Sequence, residues 1–126
     1  RLARCSSLYR TAPVGILSQP DFVNAVALLE TTLAPEALLD ALLDIEARFG
    51  RIRRERNGPR TLDLDLLLYD DIELDLPRLT LPHPRLNLRA FVLLPLAAVA
   101  PNLAIPRRGS VAAWLPAVAN QGIVRL

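Results

Sequence analysis

No lysine occurs among the 126 residues, so all 15 basic side chains are arginine and a lysine-centred phosphate loop is excluded. Methionine is absent too, from which we expect natural sequence upstream of Arg1. The single cysteine, Cys5, excludes an internal disulfide framework and a cysteine-rich metal site. Only five glycines are present, and they form neither G-x-G-x-x-G nor G-x-x-x-x-G-K-[ST], so any nucleotide site must be built another way. No apolar run approaches the ~20 residues that cross a bilayer, and no secretory signal pattern is visible. A net charge of +2 leaves no overall nucleic-acid footprint. A cytoplasmic protein with neither a membrane nor a nucleic-acid partner is expected.

What is present is apolar: 52% hydrophobic residues against 22% charged, enough for a core and too apolar for disorder. The length fits one domain spanning residues 1–126. "RCSSLYRTAPVG" (4–15) alternates and then meets Pro13 and Gly15, predicting a strand to about Arg10 and then a loop. "FVNAVALLET" (22–31) predicts a second strand, with Asn24 a polar residue in an apolar run. "LAPEALLDALLDIEARFG" predicts a helix with Pro35 and Glu36 in its first turn and Gly50 closing it. Leu38, Leu42, Ile45 and Phe49 share one face of that helix. A strand over Thr61–Tyr69, a hairpin return at Ile72–Asp75, loop and short helical pieces around Pro82, Pro84 and Pro95, and a short helix from an N-capping Ser110 to Asn120 complete the pattern. Strands and helices interleave without a strict βαβ rhythm, which predicts an α+β sheet with helices on one side.

The chemistry concentrates in "GRIRRERN" followed by "GPRTLDLDLLLYDD" (50–71). On a strand, residues two apart project to one face, so Asp63 and Asp65 point together while Leu62, Leu64 and Leu66 point away. Two carboxylates roughly 7 Å apart repel unless a cation lies between them. Oxygen-only ligands suit Mg²⁺, which completes its shell with water and substrate phosphate. Arg51, Arg53, Arg54, Arg56 and Arg60 precede the acids directly, and arginine binds phosphate oxygens in a bidentate manner. Taken alone, an arginine-rich loop is ordinarily solvated surface, and a lone histidine such as His83 is ordinarily structural. Acids beside arginines make the layout of phosphoryl transfer, where catalysis is mostly positioning and charge neutralisation.

"GPRTLDLDLLLYDD" resembles the signature of the 6-hydroxymethyl-7,8-dihydropterin pyrophosphokinase family. "SSLYRTAPVG", "QPDFVNAVALLET", "LAPEALLDALLDIEARFGRIR" and "LPHPRLNLRAFVLLPLAAVAP" resemble its other blocks in the same order, covering roughly Ser6 to Pro106. The resemblance implies an α+β, ferredoxin-like antiparallel sheet with helices on one face, and places the family's N-terminal strand and helix outside this sequence. It implies diphosphate transfer from ATP to the pterin's hydroxymethyl group in folate biosynthesis, with two Mg²⁺ ions held by Asp63 and Asp65. Arg51 and Arg60 are implied as catalytic along with the two acids. Arg51, Arg53, Arg60, Thr80, His83 and Arg89 are implied to meet ATP, with Arg54 and Arg56 weaker matches. Thr11, Val14, Phe22, Asn24 and Phe91 are implied to hold the pterin, Phe91 by stacking on its ring. Asn57 stands where another member closes a tryptophan over the pterin, so its closing contact is expected to differ. Neighbouring folate-pathway enzymes are the expected partners beyond the two substrates. Two rival readings stay open: a two-metal nuclease built on Asp63 and Asp65, and a truncated, non-catalytic domain that binds nucleotide or a partner chain.

Overall fold

Residues 2–11 and 22–29 form the two arms of an antiparallel ribbon in the computed structural model, which describes residues 1–11, 22–50 and 62–126. The strands are β1 (Leu2–Cys5), β2 (Tyr9–Thr11), β3 (Phe22–Asn24) and β4 (Ala27–Leu29). Cys5 faces Ala27 and Tyr9 faces Asn24, so residues 6–8 lie opposite only residues 25 and 26. One arm thus carries an extra residue, which bends and twists the ribbon as a bulge does. Ser6 closes the irregularity twice: its N–H donates to the Val26 carbonyl at 2.8 Å, and its Oγ accepts from the Val26 N–H at 2.9 Å. The strand expected across 22–31 is therefore two short strands, because Val26 leaves the ladder to enter the core. The last strand, β9 (Val124–Arg125), pairs with the free edge of β2 to give the order β3-β2-β9.

Helix α1 spans Pro35–Gly50, as its end signals predict, and Asp44 and Arg48 pair along it at 2.8 Å. Its apolar stripe is only partly used. Leu38 is buried, whereas Ile45 is 38% and Phe49 47% exposed. The difference arises because α1 meets the acidic segment through a neighbouring line, Leu39, Leu43 and Glu46, so the predicted face turns partly away.

The segment expected as a strand over Thr61–Tyr69 is described from Leu62 onward, and it joins no ladder among the described residues. Its alternation survives: Leu62, Leu64 and Leu66 are half-buried while Asp63 and Asp65 are exposed. Side-chain alternation is a local property of an extended chain, but a ladder also needs a neighbour. Here the backbone is held otherwise. The Leu64 N–H donates to Glu46 Oε2 at 2.5 Å, and the Leu67 carbonyl accepts the His83 N–H at 2.8 Å. Leu67 and Leu68 then pack on the core.

A turn with Asp70 in the left-handed region (φ 50°) leads to the hairpin of β5 (Leu74–Leu76) and β6 (Leu79–Leu81), joined at Pro77–Arg78. The expected hairpin return therefore pairs forward with β6, not back onto the acidic segment. Helix α2 (Ala90–Val99) runs through Pro95, where loop and short pieces were expected. With no charged residue in it and Ala90, Leu93, Pro95, Leu96 and Val99 all buried, tertiary burial outweighs the hydrogen bond that Pro95 removes. Around α2 gather Val26, Leu86, Ile105, Val111 and Val118, the last three from or beside the hairpin β7 (Ala104–Ile105) and β8 (Gly109–Ser110) and a 3-10 helix, Ala112–Val118. Ser110, expected as an N-cap, ends β8 instead, though its Oγ still accepts the Ala113 N–H at 3.3 Å. Helices thus accompany strands that pair only in antiparallel fashion among the described residues, the α+β class expected. No helix is long and apolar enough to cross a membrane among the described residues.

Leu93 is fully buried at the centre of this core. Leu93→Ala is expected to lower stability by ~2–5 kcal/mol, whereas Phe49→Ala on the open side of α1 should change it by ~0.5 kcal/mol or less. Urea unfolding of both variants checks the contrast.

Candidate functional site

Helix α1, the acidic segment and strand β6 enclose a cavity of about 310 Å³. Its polar lining is Glu46 from α1, Asp63 and Asp65, Arg78 and Thr80 from the hairpin, and His83 beyond it. Four residues expected from sequence therefore meet here: Asp63, Asp65, Thr80 and His83. Local chemistry explains how. The Leu64 N–H bond to Glu46 ties the acidic segment to α1, and alternation leaves the acids exposed while the leucines are half-buried. The β5–β6 register sets Thr80 opposite Asp75, two positions after the tight turn.

Electrostatically the cavity is mixed. Arg78 donates to the Asp40 carboxylate, and that hydrogen bond pushes its guanidinium further above an already high ordinary value. Burial pushes the His83 imidazole below its ordinary 6.5; Asp65 opposes this, while Arg89, Arg85 and Arg108 reinforce it. His83 Nδ1 accepts the Arg85 N–H at 3.2 Å, which leaves the proton of the neutral ring on Nε2, a donor. The His83 carbonyl and the Asn87 Oδ1 both accept from Arg108, at 3.0 and 2.8 Å, and this bracket fixes the loop behind the imidazole. Arg89 lies over the Phe91 ring at 5.4 Å.

The residues expected to hold a pterin form a second group. Thr11 on β2 and Asn24 on β3 belong to neighbouring strands, and α2, which carries Phe91, packs against both. Asn24 is half-buried, and its amide finds no hydrogen-bond partner among the described residues. Val14, Arg51, Arg53, Arg54, Arg56, Asn57 and Arg60 lie outside the described residues, as does the side chain of Phe22.

Sequence reasoning passed over Glu46 and Arg78. A signal for Glu46 existed: it extends the Leu39–Leu43 line by helical spacing, placing a carboxylate where an apolar side chain is the default. Arg78 offered none, since a charged residue in a hairpin turn is commonplace. A larger recess of about 440 Å³, lined by Glu73, Asp75, Arg107 and Arg108 among others, shares only Thr80 with the cavity of the paired acids.

These features make an α+β protein whose paired carboxylates, guanidinium, hydroxyl and imidazole line one cavity. Comparison with known proteins supplies the class. A model of the 7,8-dihydro-6-hydroxymethylpterin-pyrophosphokinase (HPPK) family matches residues 1–101. The chain is 52% identical over 126 residues to a 2-amino-4-hydroxy-6-hydroxymethyldihydropteridine pyrophosphokinase of Pseudomonas aeruginosa, spanning the whole of this chain and 78% of that protein. It is 53% identical over 106 residues to the protein of the same name from a Synechocystis species, covering 84% of this chain and 54% of that one. It is 43% identical over 106 residues to the folic acid synthesis protein fol1 of Schizosaccharomyces pombe, covering 84% of this chain and 14% of that protein. The chain belongs to the HPPK family.

The downward shift of His83 makes a pH prediction. Below 6.5 the unfolded chain binds a proton that the folded chain resists, so this contribution to stability is complete above 6.5 and is lost as pH falls through and below it. Between pH 7.5 and 5.5 the wild-type melting temperature should fall by roughly 1–3 °C more than that of His83→Gln. Parallel pH dependences in thermal melts would contradict it.

Proposed function

We infer that this chain transfers diphosphate from ATP to the hydroxymethyl group of 6-hydroxymethyl-7,8-dihydropterin, a step of folate biosynthesis that gives AMP and the pterin diphosphate. The observation carrying this reading is the meeting of Asp63, Asp65, Thr80 and His83 around one cavity, in a chain 52% identical end to end to a named pyrophosphokinase. The hydroxymethyl oxygen forms a bond to the β-phosphorus of ATP as the bond from that phosphorus to the α,β-bridging oxygen breaks. The hydroxyl proton departs and AMP leaves.

Asp63 and Asp65 present only oxygen to the cavity from the exposed side of an extended chain, a donor set that fits Mg²⁺. Two Mg²⁺ ions, held there, would neutralise the phosphate charge as it shifts toward the leaving AMP. Thr80 offers a hydroxyl and neutral His83 an Nε2–H to the nucleotide, while Arg89 adds a cation beside them. Arg51, Arg53 and Arg60 are assigned to the phosphates, and Arg51 and Arg60 to the transition state. Thr11, Val14, Phe22, Asn24, Asn57 and Phe91 are assigned to the pterin; the open amide of Asn24 and the half-buried ring of Phe91 support that assignment.

Asp63→Ala and Asp65→Ala should each lower AMP release by ~10²-fold or more, with folding retained because removing one of two like charges relieves repulsion. Near-normal turnover in Mg²⁺ would remove the metal assignment. Asn24→Ala should weaken pterin binding ~10-fold or more and leave an unreactive ATP analogue bound as before. Titration calorimetry beside a melting curve reads both: unchanged pterin affinity in a folded variant takes Asn24 out of the site.

A further inference from the structure

We propose that Glu46 is a positioning residue for the acidic pair: its carboxylate holds the backbone N–H of Leu64, the residue between Asp63 and Asp65, and so sets the direction of both. The inference rests on the diphosphate-transfer reading above.

The Leu64 N–H donates to Glu46 Oε2 at 2.5 Å across 18 residues of chain. An extended segment ordinarily has its direction set by a ladder of backbone bonds. Among the described residues the acidic segment has no such ladder, and its next backbone anchor there is three residues on, where the Leu67 carbonyl accepts from His83. A bond to a carboxylate is shorter and stronger than one between neutral groups. Residue 64 stands between the two acids in sequence, so fixing its backbone fixes the stretch from which both project.

Glu46 continues the Leu39–Leu43 line into the cavity of the two aspartates, a place on the helix where an apolar side chain is the default. Direct metal ligation is the competing explanation. Among the described residues, however, no group of three or more histidine, cysteine, aspartate or glutamate side chains is arranged to hold an ion.

Glu46→Ala removes the acceptor, and Glu46→Gln keeps an amide oxygen that can take its place. Amide hydrogen exchange at Leu64, measured without metal or nucleotide, should quicken ~10-fold in Glu46→Ala and stay within ~3-fold in Glu46→Gln. In turnover, Glu46→Ala should lower kcat ~10–100-fold with KM for both substrates within ~3-fold, and Glu46→Gln should recover most of the loss. Unchanged exchange at Leu64 overturns the proposal, as does full activity despite fast exchange, a Glu46→Gln protein as slow as Glu46→Ala, or loss of the melting transition in Glu46→Ala. An active Asp63→Ala protein run in parallel overturns the diphosphate-transfer reading of the pair. An inactive Asp63→Ala beside a fully active Glu46→Ala overturns the positioning role alone.

Discussion

An extended chain that alternates leucine with aspartate half-buries one side and hydrates the other, and residues 62–66 do this beside helix α1. Among the described residues no ladder takes up the segment's backbone polar groups, and a helix surface cannot normally satisfy them. The Glu46 carboxylate resolves the conflict by reaching from α1 to the Leu64 N–H. With that contact made, the cavity between α1 and the β5–β6 hairpin follows, the acids face it, and Thr80 and His83 close it from the other element.

The charge around this cavity is graded rather than balanced. Acids on α1 and the extended segment oppose arginines from the turn at Arg78 and from the loop before α2. His83 lies on the boundary, pushed down by burial, against which Asp65 works and with which three arginines work. Neutrality gives the ring one donor and one acceptor, and the backbone of Arg85 takes the acceptor. A phosphorylated ligand would meet a donor whose orientation is set before it arrives.

Much of this was legible in sequence, unevenly. Helix α1 was readable to its ends because Pro35, Glu36 and Gly50 act locally. The same holds for the facing of Asp63 and Asp65, which depends only on the extended backbone. What could not be read is what depends on distant neighbours. The ladder expected at 61–69 is not seen over its described part, because propensity does not specify a partner strand. Helix α2 forms through Pro95 because burial of Ala90, Leu93, Pro95, Leu96 and Val99 outweighs a local rule. Ser110 kept a capping bond but lost its helix start to the β7–β8 hairpin. Of the cavity lining, Asp63, Asp65, Thr80 and His83 were singled out in sequence, whereas Glu46 was read only as part of a helix.

The bulge closed by Ser6 has a consequence for how this chain tolerates changes of length. Three residues, 6–8, span what residues 25 and 26 span on the other arm, one more than a regular ladder needs. Dropping one of them would leave two facing two, so Tyr9 would still meet Asn24 and β9 would still find its edge, but the bend that the extra residue gives the ribbon would be lost. A one-residue deletion here thus acts on the shape of the ribbon rather than on which side chains face the core.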